Sequence, residues 1–244
     1  ERLVQRFERM AVLGEASAML GWDASVMMPS GGSAARGDQF AVLASLGHEM
    51  LTAPQLGEDL AIAQTAPLPD AWQARNLVLM QRAYQRATAL PTALVEAMAR
   101  ANTACEQIWR EARKQSDFSM VSQALSEVVA LTREQAQALS PVLGLTPYDC
   151  LMDGFQPGIT AADVTPVFAA YRQFLDKALP EAEALQARKQ KPVPLQGPFP
   201  ADRQEALCRA LSLRAGLEAA HSRLDRSTHP FCGGIPVDVR ITTR

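Results

Sequence analysis

Histidine is scarce in this chain: 244 residues contain only His48, His221 and His229. A catalytic zinc takes about three converging protein ligands, most often His and Glu, and these three histidines supply no such set. His48-Glu49 opens an HExxH, but Thr52 stands one helical turn on, where the second ligand would have to be. That pair is expected at a solvated helix terminus, and His221 and His229, the latter before Pro230, are expected as ordinary polar side chains. Basic excess is missing as well. With 24 Lys and Arg against 26 Asp and Glu the net charge is −2, which removes the drive for binding a phosphate backbone and excludes nucleic acid as a partner. No apolar run approaches the roughly 20 residues of a bilayer span. Residues 1–9 alternate charged and apolar types unlike a signal peptide, so the expectation is no membrane partner and a cytoplasmic location. The four cysteines (Cys105, Cys150, Cys208, Cys232) form no CxxC pair and are expected as structural thiols. Neither a fixed-period repeat nor a low-complexity tract occurs, which excludes solenoids.

What is abundant is alanine, 41 residues, while aromatic types make up only 6%. Alanine is the strongest helix former, so a mostly helical protein is expected. Leu3, Phe7, Met10, Leu13 and Leu20 recur at helical spacing, as do Phe40, Leu43, Leu46 and Met50. Thr52-Ala53-Pro54 separates the second helix from a third, Asp70 caps a fourth, and Pro91 divides two long antiparallel helices. A further stripe through Val121, Leu125, Val128 and Leu139 is expected to close at Ser140-Pro141, with residues 148–158 a loop or short turn. Thr160 to Asp163 resembles a capping box ahead of Val167, Phe168, Tyr171, Phe174 and Leu175, and Asp202 is expected to cap a last helix. Trp22, Trp72 and Trp109 lie at helical spacing and are expected in the core. From Ser227 the texture turns to proline, glycine and β-branched residues. The expected architecture is all-α, with long antiparallel helices over 1–226 and a short extended β-segment over 227–244.

That last segment carries the most specific signal. His229-Pro230-Phe231 and Asp238-Val239-Arg240-Ile241-Thr242 match the HPF and DxRxT motifs of the carboxypeptidase Taq family of zinc metallocarboxypeptidases, which the chain resembles. Leu20-Gly21-Trp22-Asp23, Met28-Pro29, Gly31-Gly32, Arg36, Gln39 and His48-Glu49 resemble its amino-terminal block. Tyr148-Asp149 with Pro157-Gly158, and Arg223-Leu224-Asp225-Arg226-Ser227, match two further blocks in order. Ser222 departs from an expected glycine, and Leu217-Glu218 from an expected Phe-Asp.

The resemblance implies the amino-terminal portion of an enzyme that hydrolyses the C-terminal peptide bond of peptides. It implies zinc or another divalent metal in the intact enzyme, a metal-bound water activated by the Glu of HExxH, and homodimers. The HExxH helix is expected beyond Arg244, in a longer protein of which this is a piece. The chain alone is therefore expected to bind no metal, to contain no catalytic residue and to be inactive. A stand-alone helical interaction or regulatory module is the rival reading.

Period-two alternation places Asp238, Arg240 and Thr242 on one face of a strand over 237–243, and Val237, Val239 and Ile241 on the other, toward the core. The polar face is expected to line the substrate groove with His229, Pro230 and Phe231. As an edge strand it would pair with an extended peptide or with another copy. Arg240 either forks to a substrate carboxylate or pairs with Asp238. His229, held extended before proline, either donates to bound substrate or anchors the turn. Asp23 and Arg36 are a candidate buried pair nearby.

Overall fold

A computed structural model describes residues 1–243. Among them the order is α1 (Arg2–Val26), a 3-10 turn (Ser30–Gly32), α2 (Ser33–Thr52), α3 (Pro54–Thr65), α4 (Ala71–Thr88), α5 (Thr92–Gln115), α6 (Ser119–Leu143), α7 (Pro147–Asp153), α8 (Ala161–Ala187), α9 (Ala201–Arg214), β1 (Ser222–Arg226), β2 (Cys232–Ile235) and β3 (Asp238–Thr243). The all-α expectation with a short terminal β-segment holds. Local chemistry sets several boundaries. Pro54 occupies the first turn of α3, where its missing N–H costs nothing, and Asp70 accepts the Gln73 N–H at 2.8 Å to start α4.

Three boundaries differ from expectation. Helix α6 runs through Pro141 and ends at Gly144, whose φ of 66° closes the last turn. A proline inside a helix forfeits about 3 kcal/mol, and the fully buried Leu139 lies in the same turn. Residues 147–153 form α7, opened by Thr146, whose hydroxyl accepts the Asp149 N–H at 3.2 Å. Seven residues are too few for periodicity to reveal. The last helix starts at Ala201 behind Pro200, with Asp202 in its first turn rather than at its cap.

The core lies among α1 to α7. Leu56, Leu60 and Leu77 form a buried cluster against Leu3, Phe7, Leu51, Met80 and Tyr84. Helices α2 and α5 pack most extensively, through small residues such as the fully buried Ala41 and the buried Gly37 and Ala101. In contrast, α8 has 27 residues and none of them is buried. Trp22 is in the core as expected and Trp109 is half-buried, but Trp72 is 81% exposed near the start of α4.

The strands form one sheet in the order β1-β3-β2, with β3 parallel to β1 and antiparallel to β2. The strand expected at an edge is therefore the central one, hydrogen-bonded on both sides. It begins at Asp238, because Pro236 and Val237 make the hairpin turn. Its parallel partner, Ser222–Arg226, lies on the helical side of the boundary expected at 226/227. Five residues with one apolar side chain, Leu224, give no strand signal alone, and parallel pairing is non-local. Gly234 makes the hairpin possible: its φ is 82°, and a Cβ there would press on the Asp238 carbonyl and the Arg240 backbone.

Candidate functional site

The two faces of β3 do not divide into core and solvent as expected: Asp238, Val239, Arg240 and Ile241 are all partly buried. Thr242 is its most buried side chain at 5% exposure, whereas Val237, expected toward the core, is 71% exposed in the turn. The parallel register pairs Arg223 with Arg240 and Asp225 with Thr242, so all four share a face with Asp238. That face lies against the end of α1. The Trp22 ring centre is 4.4 Å from the Arg240 guanidinium carbon and 5.2 Å from that of Arg223. Nε and Nη2 of Arg240 each donate to Asp238 at 2.6 Å, and Arg223 donates to Asp225 at 2.7 and 2.9 Å. The Arg240 hydrogen bond holds the Asp238 carboxyl below the usual carboxylate range against the opposing effect of burial, and the charges of Arg240 and Arg223 reinforce it. The ion-pair alternative for Arg240 is thus the one the geometry forms. The face is only half covered: the side chains of Arg240, Asp238 and Arg223 are 16%, 39% and 48% exposed, each charge has its partner, and one indole seats both guanidinium groups.

Thr242 does not open onto a groove. Its hydroxyl accepts the Phe231 N–H at 2.8 Å and the Ser227 hydroxyl at 2.7 Å, and lies 3.2 Å from the Phe231 carbonyl. It thereby pins both ends of the 227–231 loop onto the sheet. The loop presents His229 and Phe231 to a cleft of about 390 Å³, walled by Ser25 of α1 and by Glu106, Trp109 and Arg110 of α5. The exposed Pro230 stands between the two. The His229 ring meets Trp109 edge to face, with centroids 6.5 Å apart and planes at 83°, and Arg113 lies 5.6 Å from the same indole. The His229 ring thus touches α5 while the residue itself stays exposed.

The cleft residues of α5 were not apparent from sequence. Arg110 accounts for their placement: Nη1 donates to the last-turn carbonyls of α1, Ala24 at 3.0 Å and Ser25 at 3.3 Å, and Nη2 donates to Glu106 at 2.6 Å. The only sequence trace of this is an i,i+4 Glu-Arg spacing, which is common on helix surfaces.

Asp23 and Arg36 do pair, at 2.5 Å, and Arg36 also donates to the Leu20 carbonyl at 2.6 Å, fastening the last turns of α1 to α2. His48 is not a solvated terminus. Its Nε2 donates to the Ala87 carbonyl at 3.0 Å and its Nδ1 meets the Thr92 hydroxyl at 3.2 Å, so it staples α2 to the α4–α5 junction. The Tyr148-Asp149 and Pro157-Gly158 block is also a junction. Asp153 accepts from Arg82 at 2.7 Å, Arg86 at 3.0 Å and the Gly158 N–H at 3.1 Å. Burial pushes its carboxyl up, but the Arg82 and Gly158 hydrogen bonds and the two guanidinium charges outweigh burial and hold it low. Asp149 accepts the Ala161 N–H at 2.7 Å at the start of α8.

Among the described residues no three His, Cys, Asp or Glu side chains gather in a metal-ligating group. His48 is engaged at both nitrogens and lies on a different junction from His229.

Comparison with known proteins gives a consistent picture. The profile of the family described as carboxypeptidase Taq (M32) metallopeptidase matches residues 2–244. Thermostable carboxypeptidase 1 of Thermus thermophilus is 34% identical over 255 residues, covering 100% of this chain and 50% of that protein. The enzyme of the same name from Pyrococcus furiosus is 26% identical, covering 100% of this chain and 49% of its own. The solved structure of Trypanosoma cruzi metallocarboxypeptidase 1 superposes with a TM-score of 0.80 at 33% identity, over 100% of this chain and 49% of that one. The chain thus spans about half the length of the relatives it matches.

Proposed function

Because the chain belongs to the carboxypeptidase Taq (M32) metallopeptidase family, we propose that it forms the amino-terminal portion of an enzyme that hydrolyses the C-terminal peptide bond of peptides. Its contribution is one wall of the peptide groove. The observation that carries this reading is the convergence of His229 and Phe231 with Trp109 and Arg110 on one cleft. The cleft offers an aromatic wall for an apolar side chain, held in place by Arg110, whose terminal nitrogens are taken by the α1 carbonyls, the Ser25 hydroxyl and Glu106. Zinc or another divalent metal belongs to the half of the enzyme that carries HExxH, and the 244-residue chain alone binds no catalytic metal and has no activity. Self-association, or homodimers in the whole enzyme, and a cytoplasmic location complete the proposal. On the last point the structure contributes one fact: no described helix is long and apolar enough to cross a membrane.

The test uses the purified chain, washed with chelator and then incubated with zinc and a tripeptide bearing a free C-terminus. We expect no stoichiometric zinc, no released amino acid, and peptide-induced shifts of the His229 and Trp109 resonances. Zinc retention with release of C-terminal residues would overturn the division of labour. Absence of any peptide effect at the cleft would favour the stand-alone interaction module.

A further inference from the structure

Trp22 has a property that its place in the core does not explain. It is 8% exposed, yet its indole Nε1 has no hydrogen-bond partner among the described residues. A buried, unpaired N–H is unfavourable, and phenylalanine would fill most of the same space without it. What tryptophan offers beyond phenylalanine is the stronger π face for a cation. That face is used twice, by Arg240 at 4.4 Å and Arg223 at 5.2 Å, which are register partners on adjacent strands.

Each guanidinium is oriented independently by its own carboxylate, Asp238 or Asp225. The turn that carries Trp22 is held on both sides of it in sequence, since Arg36 of α2 binds the Leu20 carbonyl and the Asp23 side chain. A chain of contacts therefore runs from α2 through the last turns of α1 to the ring, and from the ring to the sheet. Arg240 spends Nε and Nη2 on Asp238, and its Nη1 makes no hydrogen bond among the described residues. Seated on the ring, the guanidinium keeps that one donor uncommitted.

We propose that Trp22 is a positioning residue for the DxRxT face: it is the shared seat that orients Arg240, with Arg223 beside it, for contact with a bound peptide. The proposal rests on the reading of this face as part of the peptide groove.

The test compares the 244-residue chain with its Trp22→Leu, Trp22→Phe and Arg223→Ala variants by NMR of the arginine side chains, with tripeptide affinity measured in parallel. Seated over an indole, the Arg240 side-chain protons resonate upfield. Trp22→Leu should abolish that shift and weaken tripeptide binding roughly tenfold, the scale of one lost cation–π and orientation contribution. Trp22→Phe should retain roughly half of the shift and rescue most of the affinity, and Arg223→Ala should leave the Arg240 shift in place. A merely structural tryptophan would instead lower the melting temperature without moving peptide affinity in the folded variants, which overturns the proposal. An unchanged Arg240 shift in Trp22→Leu overturns it too. Should that variant not fold, an unchanged shift and affinity in Trp22→Phe has the same force. Failure of the groove reading is distinct: the wild-type chain would show the upfield shift but no tripeptide binding.

Discussion

Helices α4 and α8 carry apolar stripes of similar clarity and end in opposite environments. In α4 the stripe closes on the leucine core, with Leu77 buried against Leu56 and Leu60. In α8, Val167, Phe168, Tyr171 and Phe174 are all between 59% and 67% exposed, and the helix touches little beyond α7. Its start is nonetheless well built: Asp163 accepts the Thr160 N–H at 2.9 Å, and Asp149 accepts the Ala161 N–H. A stripe specifies that a face is made to be covered and says nothing about what covers it. The relatives are about twice as long as this chain, and the apolar face of α8 stays open here whereas that of α4 closes on the leucine core.

Substitutions on either side of that divide should separate cleanly. The largest effect is expected at Asp153, whose side chain is 5% exposed beneath two arginines. Asp153→Ala leaves both guanidinium groups without their shared carboxylate and should cost about 4 kcal/mol in urea unfolding. The same pair predicts a pH dependence. Its carboxyl is lower in the folded than in the unfolded chain, so its contribution is fully present above the unfolded value of about 3.9 and is lost as pH falls through the folded value. The stability gap between wild type and Asp153→Asn should therefore narrow on acidification below about pH 4. A gap independent of pH would show that Asp153 acts through packing alone.

Next comes Leu56→Ala in the fully buried core, with an expected loss of about 3 kcal/mol. Thr242→Val removes the hydroxyl that joins Ser227 and Phe231; it should cost about 2 kcal/mol and loosen His229 against Trp109, visible as increased amide exchange over 227–231. Smallest of all is Phe174→Ser on α8, expected within about 0.5 kcal/mol of wild type. Its signature is a different one, a fall in self-association by analytical ultracentrifugation and in apolar-dye binding. A loss comparable to that at Leu56 would break the comparison, because α8 would then be part of the core of this chain.

The divide also explains where sequence reasoning succeeded. Helix starts at Pro54, Asp70 and Thr160 were legible because a cap or a first-turn proline acts within four residues. The candidate site was legible as two motifs, but not as a place. Asp238, Arg240 and Thr242 share a face by strand parity alone, yet parity does not say that the face meets a tryptophan 216 positions before Asp238, in α1. Nor does it say that Thr242 is a buried anchor rather than a groove residue. Trp109 and Arg110 had no signal of their own, since a half-buried tryptophan and an i,i+4 ion pair belong to any amphipathic helix.

By itself, then, the sequence determined the helical class, most of the boundaries, the family and the residues that matter at the carboxyl end, because propensity, capping and alternation act over one or two turns of chain. Only the tertiary structure decided that β3 is central, that Arg240 and Arg223 seat on the Trp22 indole, and that α1 and α5 complete the cleft. Those outcomes depend on pairings between residues far apart in the chain, whose energies come from partners that no local pattern encodes.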